Sequence, residues 1–203
     1  MKKFFLSTGY LGLLVFSIHC GSVPPTFYYR IHYEVPESEI RNSIVPVTLG
    51  ISQFTADILY EGDRIVYRQS SFEVQYYHYR RWIAPPKKIV TEKVLEQLRA
   101  SGIFQRVVRI PSNFSIDFIL KGQIKAFEEW DEKSAWYGLV TLSFQLQSAG
   151  NNEIVWEKEI SEKTRAYKKE PVEVVKAISQ SLKKVIEKAI LEIEQNIKSL
   201  SVG

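Results

Sequence analysis

Cysteine, methionine and histidine are scarce in this chain: one, one and three residues among 203. The single thiol, Cys20, excludes an intrachain disulfide, so the fold must rest on burial, which a chain of this length can supply within one domain. No Gly-x-Ser-x-Gly elbow, phosphate-cradling glycine loop or His-Glu-x-x-His pair is present, and no second cysteine stands ready for a metal pair. The usual hydrolytic sets are therefore missing, and no metal or other cofactor is expected. His32 and His78 lie on expected strands without a ligand neighbour at telling spacing, and they read as ordinary sheet residues. No long Lys/Arg block follows the first residues, which removes the electrostatic footprint of a nucleic-acid binder.

What is present begins with a leader. Lys2 and Lys3 precede an apolar run from Tyr10 to Phe16, the basic and hydrophobic regions of a secretory signal peptide over residues 1–19. A retained membrane anchor is the alternative, but the run is well short of the roughly 20 residues a spanning helix needs. Removal of Lys2 and Lys3 lowers the formal charge from +4 to +2, because residues 1–19 hold no acid. Cys20 stands where such a leader would end, and its position resembles the acylated first residue of a bacterial lipoprotein. Ser17, Ile18 and His19 depart from the usual small-residue pattern before such a cysteine, His19 most of all. Residues 20–26, with Pro24 and Pro25, then read as a lipidated cysteine and a short tether, and residues 27–203 as one domain.

Within that domain, Phe27 to Val35 is aromatic and β-prone and reads as the first strand, and Pro36 to Ser43 is a polar connection. Val45, Val47, Leu49 and Ile51 alternate with smaller or polar residues, a strand with one apolar face. Glu61-Gly62-Asp63 is a turn signal before a strand over Arg64 to Arg68, and Phe72, Val74 and Tyr76 open a further strand stopped by Pro85 and Pro86. From Lys87 to Gly102, Ile89, Val94, Leu95 and Leu98 fall at helical spacing, with Gly102 placed to end the helix. Arg106 to Ile110 is a short strand and Ser115 to Phe127 a longer one, followed by a turn around Glu128 to Ser134. Gly138 to Gln147 and Ile154 to Ile160 alternate on either side of Ala149-Gly150-Asn151-Asn152, which predicts an antiparallel hairpin with Trp156 on the core face beside Phe144. From Pro171 to Leu200 an apolar stripe of 3.6-residue period predicts a long helix lying across the sheet. The fold class expected is α+β, a mainly antiparallel sheet packed against two principal helices.

Two groups of residues invite a chemical reading. Glu128, Glu129, Asp131 and Glu132 fall in an expected turn, where solvated charge is the plain explanation, although two carboxylates also serve glycosidases. Tyr76, Tyr77, Tyr79, Arg80, Arg81 and Trp82 make a basic aromatic cluster that could stack bases or sugars. On a strand those side chains divide between two faces, which favours core packing for one set and edge or partner contact for the other.

The ordered set Gly62-Asp63-Arg64-Ile65-Val66-Tyr67-Arg68, Val74, Tyr76 through Trp82, Pro85-Pro86 and Gly102-Ile103-Phe104 resembles the signature of the ABC-type transport auxiliary lipoproteins. This is the family that includes the PqiC-like component of Pqi and MCE transport systems, and the resemblance runs from about Tyr28 to Leu191. It implies a non-catalytic lipoprotein that faces the periplasm, at the outer membrane, and works with an MCE-domain protein and an ABC or Pqi-type membrane component in moving lipids between membranes. Under that resemblance Cys20 is the lipid-anchored residue, and the exposed members of Tyr77, Tyr79, Arg80, Arg81 and Trp82 contribute to partner docking. Homo-oligomerisation stays open. Another periplasmic lipoprotein scaffold, serving lipopolysaccharide assembly or a secretion pore, and a carbohydrate-active enzyme are the competing readings.

Overall fold

The computed structural model describes residues 23–35 and 45–201; Cys20, the leader and the expected connection over Pro36 to Ser43 lie outside the described residues. In chain order the strands are β1 Phe27–Tyr29, β2 Val45–Ile51, β3 Thr55–Ala56, β4 Arg64–Arg68, β5 Gln75–Trp82, β6 Phe104–Arg109, β7 Phe118–Asp131, β8 Trp136–Ser148 and β9 Ile154–Arg165. The helices are α1 Pro86–Ala100 and α2 Pro171–Ser201, with a 3-10 turn over Ile58–Tyr60.

The sheet is organised around β7. One edge of β7 pairs antiparallel with β8 along its whole length, from Phe118↔Ser148 to Asp131↔Trp136, and β9 lies antiparallel outside β8. The other edge is shared in succession, and in parallel, by β2 at Leu49↔Phe118, β3 at Thr55↔Gln123 and β4 at Val66↔Glu128. Outside them, β6 runs parallel to β2, β5 antiparallel to β4, and β1 parallel to β5. The result is one α+β domain in which the long pairings are antiparallel and the short ones mainly parallel.

Both helices cover one face of this sheet for reasons visible in their residues. On α2, Val174, Ile178, Leu182, Val185, Ala189, Ile193 and Ile197 are buried at helical spacing, the single apolar stripe such a helix needs in order to lie on a sheet. Its close approach depends on Gly138 of β8, where an added Cβ would fall 2.2 Å from the Ile178 backbone nitrogen. Helix α1 begins with Pro86 in its first turn and gives way to Gly102 at φ 62°, a left-handed conformation that suits glycine. Phe144 anchors the core between Phe54, at 5.8 Å edge-on, and Trp156, at 6.1 Å. Trp156 thus packs where the hairpin alternation puts it.

Several expected boundaries move, and three of them have a visible local cause. Strand β1 stops at Tyr29, since its partner β5 runs out at Trp82, paired with Tyr29. Ile31 and Tyr33 are nevertheless buried beyond it, and His32 lies off any strand. Strand β5 starts at Gln75 rather than Phe72, because the Ser70 hydroxyl accepts from the Phe72 and Glu73 amides and holds the backbone in a turn, leaving Phe72 exposed. Strand β7 continues to Asp131, and the turn shrinks to Glu132–Ala135, closed by the Glu132 amide donating to the Ala135 carbonyl at 2.9 Å. The acids expected in solvent on that turn are therefore strand residues, and Glu128, Glu129 and Asp131 are buried.

Candidate functional site

The tyrosine-rich strand β5 does not alternate evenly. Val66 of β4 pairs with Tyr76 and Arg64 with Arg81, so five positions on β5 oppose two on β4. The three extra residues are an odd number and exchange the faces partway along the strand. Tyr77 and Arg80, which strict alternation would separate, come to one side, with the Arg80 guanidinium 4.5 Å over the Tyr77 ring. Trp82 follows on that side into the core, 1% exposed and 5.1 Å from the Phe127 ring. This removes Trp82 from the partner-binding set expected from the sequence: the strand's end is covered by the body it closes. On the other side Tyr79 is exposed, and Arg81 binds Asp63 at 2.7 Å. Arg64, on β4, sits 4.3 Å over the Tyr76 ring. His78 is an exposed strand residue beside the Tyr79 ring.

The buried side of this cluster meets the acids of β7. The Tyr77 hydroxyl donates to Glu129 at 2.9 Å, and its ring lies 4.6 Å from that of Tyr67, the residue paired with Glu129 across β4 and β7. Glu129 and Asp131 are two apart on a strand and so share a face. Burial first, and Asp131 beside it second, push the Glu129 carboxyl up to about 8, so it holds its proton at neutral pH. Asp131 is raised as well, by burial, against the bonds from Glu129 and Gln69 and the charge of Lys169. Burial and Glu129 raise the Tyr77 phenol, which keeps it a donor. Asp131 also lines an open cleft of about 630 Å³ with Gln69, Trp130, Lys133, Trp136 and Lys169. Its Oδ1 is buried without a hydrogen-bond partner among the described residues.

The opposite face of β7 carries a separate, closed network. Tyr60 donates to Glu128 Oε2 at 2.6 Å, Arg68 Nε donates to Oε1 at 2.7 Å, and Arg68 also donates to the Tyr60 hydroxyl at 3.0 Å. Burial and Glu128 raise the Tyr60 phenol. Burial opposes the Arg68 charge, but the Glu128 bond outweighs it and holds that pKa above its ordinary value. Each member has its partners inside the triangle, which pins β4 and the 3-10 turn to β7 and offers nothing to a ligand.

Glu129 and Asp131 are the site residues that sequence reasoning missed. The available signal was phase: Phe127, Glu129 and Asp131 continue one alternation, which a strand read as ending at Phe127 conceals. Cys20 lies outside the described residues. Among the described residues, no group of three His, Cys, Asp or Glu side chains is placed to hold a metal ion, and no helix is long and apolar enough to cross a membrane.

A family model described as the ABC-type transport auxiliary lipoprotein component matches residues 29–189. Among solved structures, protein XCC0632 from Xanthomonas campestris is similar over 87% of this chain and 100% of its own, with a TM-score of 0.77 and 18% identity. An uncharacterised protein is similar over 84% of this chain and 99% of its own, with a TM-score of 0.66 and 14% identity. At these identities the likeness shows the fold. No curated protein matches.

Proposed function

The chain belongs to the ABC-type transport auxiliary lipoprotein family, and on that premise we propose that it is a non-catalytic accessory subunit of an intermembrane lipid transport system. In this reading residues 1–19 are removed, Cys20 is acylated, residues 20–26 form the tether, and residues 27–203 form the transport-auxiliary domain, held at the outer membrane and facing the periplasm. The domain docks an MCE-domain protein that works with an ABC or Pqi-type membrane component. The family match across nearly the whole domain carries the reading. The arrangement of β5 supports it: Tyr79 is exposed, Arg81 is half-exposed on that side in its pair with Asp63, and Arg80 is half-exposed on the other side, where the Tyr77 ring supports it. Binding rather than bond-making also suits the acids, because Glu129 is buried beneath Tyr77 and Glu128 is closed by Tyr60 and Arg68.

The test is capture of the MCE-domain protein encoded in the same gene neighbourhood. Joint replacement of Tyr79, Arg80 and Arg81 by alanine is expected to weaken capture by at least about tenfold, in line with aromatic and arginine hot spots. Full capture by the triple variant removes these residues from the docking surface. Palmitate labelling that disappears in Cys20→Ser checks the anchor independently, and no Cys20-dependent label removes it.

A further inference from the structure

We infer that the β1 edge of the sheet rests on the lipid bilayer surface. Among the described residues, strand β1 is the outermost strand on its side and pairs with β5 alone. It leaves Phe27 55% and Tyr28 65% exposed, and Ile83, whose amide donates to the Tyr29 carbonyl at 2.8 Å, is 66% exposed beside it. Exposed apolar side chains are ordinary when scattered. Here they gather at one corner: Phe27 and Tyr28 are consecutive on β1 and point to its two faces, and Ile83 follows the end of the paired strand, so the exposed apolar surface wraps the edge itself. Val23, further toward the N-terminus, is exposed too.

The position of this corner in the chain selects the occupant. Six residues, 21–26, separate Cys20 from Phe27. Fully extended, that interval spans at most about 25 Å. The inference rests on the reading that Cys20 is the membrane anchor; given that anchor, the corner is the part of the body unable to move far from the membrane. Its chemistry fits the place. Aromatic rings settle at the headgroup level of a bilayer, where one end is apolar and the other wet. Arg30 and Glu34, both exposed just after β1, offset each other in charge, so the contact rests on the apolar and aromatic side chains. Contact along β1 would fix the orientation of the body, edge down, with the outward side of β5 turned toward a protein partner.

The test uses the full-length protein reconstituted into vesicles of phosphatidylethanolamine and phosphatidylglycerol. Spin labels are placed through Tyr28→Cys and Ile83→Cys, with Glu157→Cys on β9, the opposite edge of the sheet, as the aqueous reference. The readout is relaxation by oxygen against relaxation by a water-soluble nickel chelate. Labels at 28 and 83 are expected to favour oxygen over nickel at least about threefold more than the label at 157, as for a side chain seated at the headgroup boundary. Protein that floats with the vesicles while all three labels behave alike overturns the β1 contact and leaves the anchor standing. Protein that fails to float overturns both. These positions are exposed, so the labels do not threaten the fold.

Discussion

Replacing Glu129 by glutamine should make the protein less sensitive to alkali. In the folded chain the Glu129 proton is held up to about 8, whereas the ordinary value for this carboxyl is 4.5. Below the ordinary value both folded and unfolded chains carry the proton, and the group has no effect on stability. Between the two values the unfolded chain releases it and the folded chain does not, so each rise in pH favours unfolding. The slope is about 1.36 kcal/mol per pH unit for one proton. Carried across that interval, it gives a ceiling of about 5 kcal/mol. Asp131 shares the local charge, so the working figure lies below that ceiling. Glutamine keeps an acceptor for Tyr77 and a donor for Asp131 but does not titrate. Urea unfolding of both proteins at intervals from pH 5 to 8.5 is therefore expected to show wild type losing stability relative to Glu129→Gln as pH rises. Other titrating groups largely cancel in the difference. Parallel curves, or a relative loss on the acid side, would refute the assignment of a proton to this buried carboxyl.

The triangle on the other face of β7 makes a contrasting prediction. Glu128→Ala leaves the Arg68 guanidinium without its acceptor and should cost about 3–5 kcal/mol in urea unfolding; a loss below about 1 kcal/mol would mean that Arg68 reaches water instead. Gly138→Ala drives a methyl group into the backbone of α2 at Ile178. Since a helix backbone cannot turn aside as a side chain can, a loss of more than about 3 kcal/mol is expected, at or above the usual range for overpacking. An unchanged thermal midpoint would show that α2 does not sit that close.

How much was legible in the chain follows from what each pattern encodes. The hairpin β8–β9 and helix α2 declared themselves because their apolar period and their turn residues agree, and Trp156 beside Phe144 followed from phase alone. Parallel pairing did not declare itself: alternation gives a strand its faces but not its direction, and β2, β3 and β4 reach β7 across intervening chain. Strand β3, only Thr55–Ala56, is too short to show a period at all. The acids at the end of β7 read as a turn because clustered charge is a turn signal, whereas the phase set by Phe127 carries the strand through them to Asp131. The aromatic and arginine cluster of β5 was legible in composition but not in geometry. Only the odd offset within β5 decides that Arg80 lies over Tyr77 and that Trp82 belongs to the core.

The parallel pairing of β1 with β5 has a mechanical meaning. A domain tied to a surface by its N-terminal segment receives any pull through the first element that segment enters. Here that element is Phe27–Tyr29, clasped on one side only among the described residues. With Cys20 anchored as proposed, tension on the tether would fall first on a three-residue clasp. Next in line are Ile31 and Tyr33, embedded in the core, with the Tyr33 hydroxyl fastened to Gln97 of α1 at 2.7 Å. The long β7–β8–β9 ribbon lies beyond both and is shielded from the load. The strand that meets the tether can yield as a fuse while the rest of the body keeps its shape.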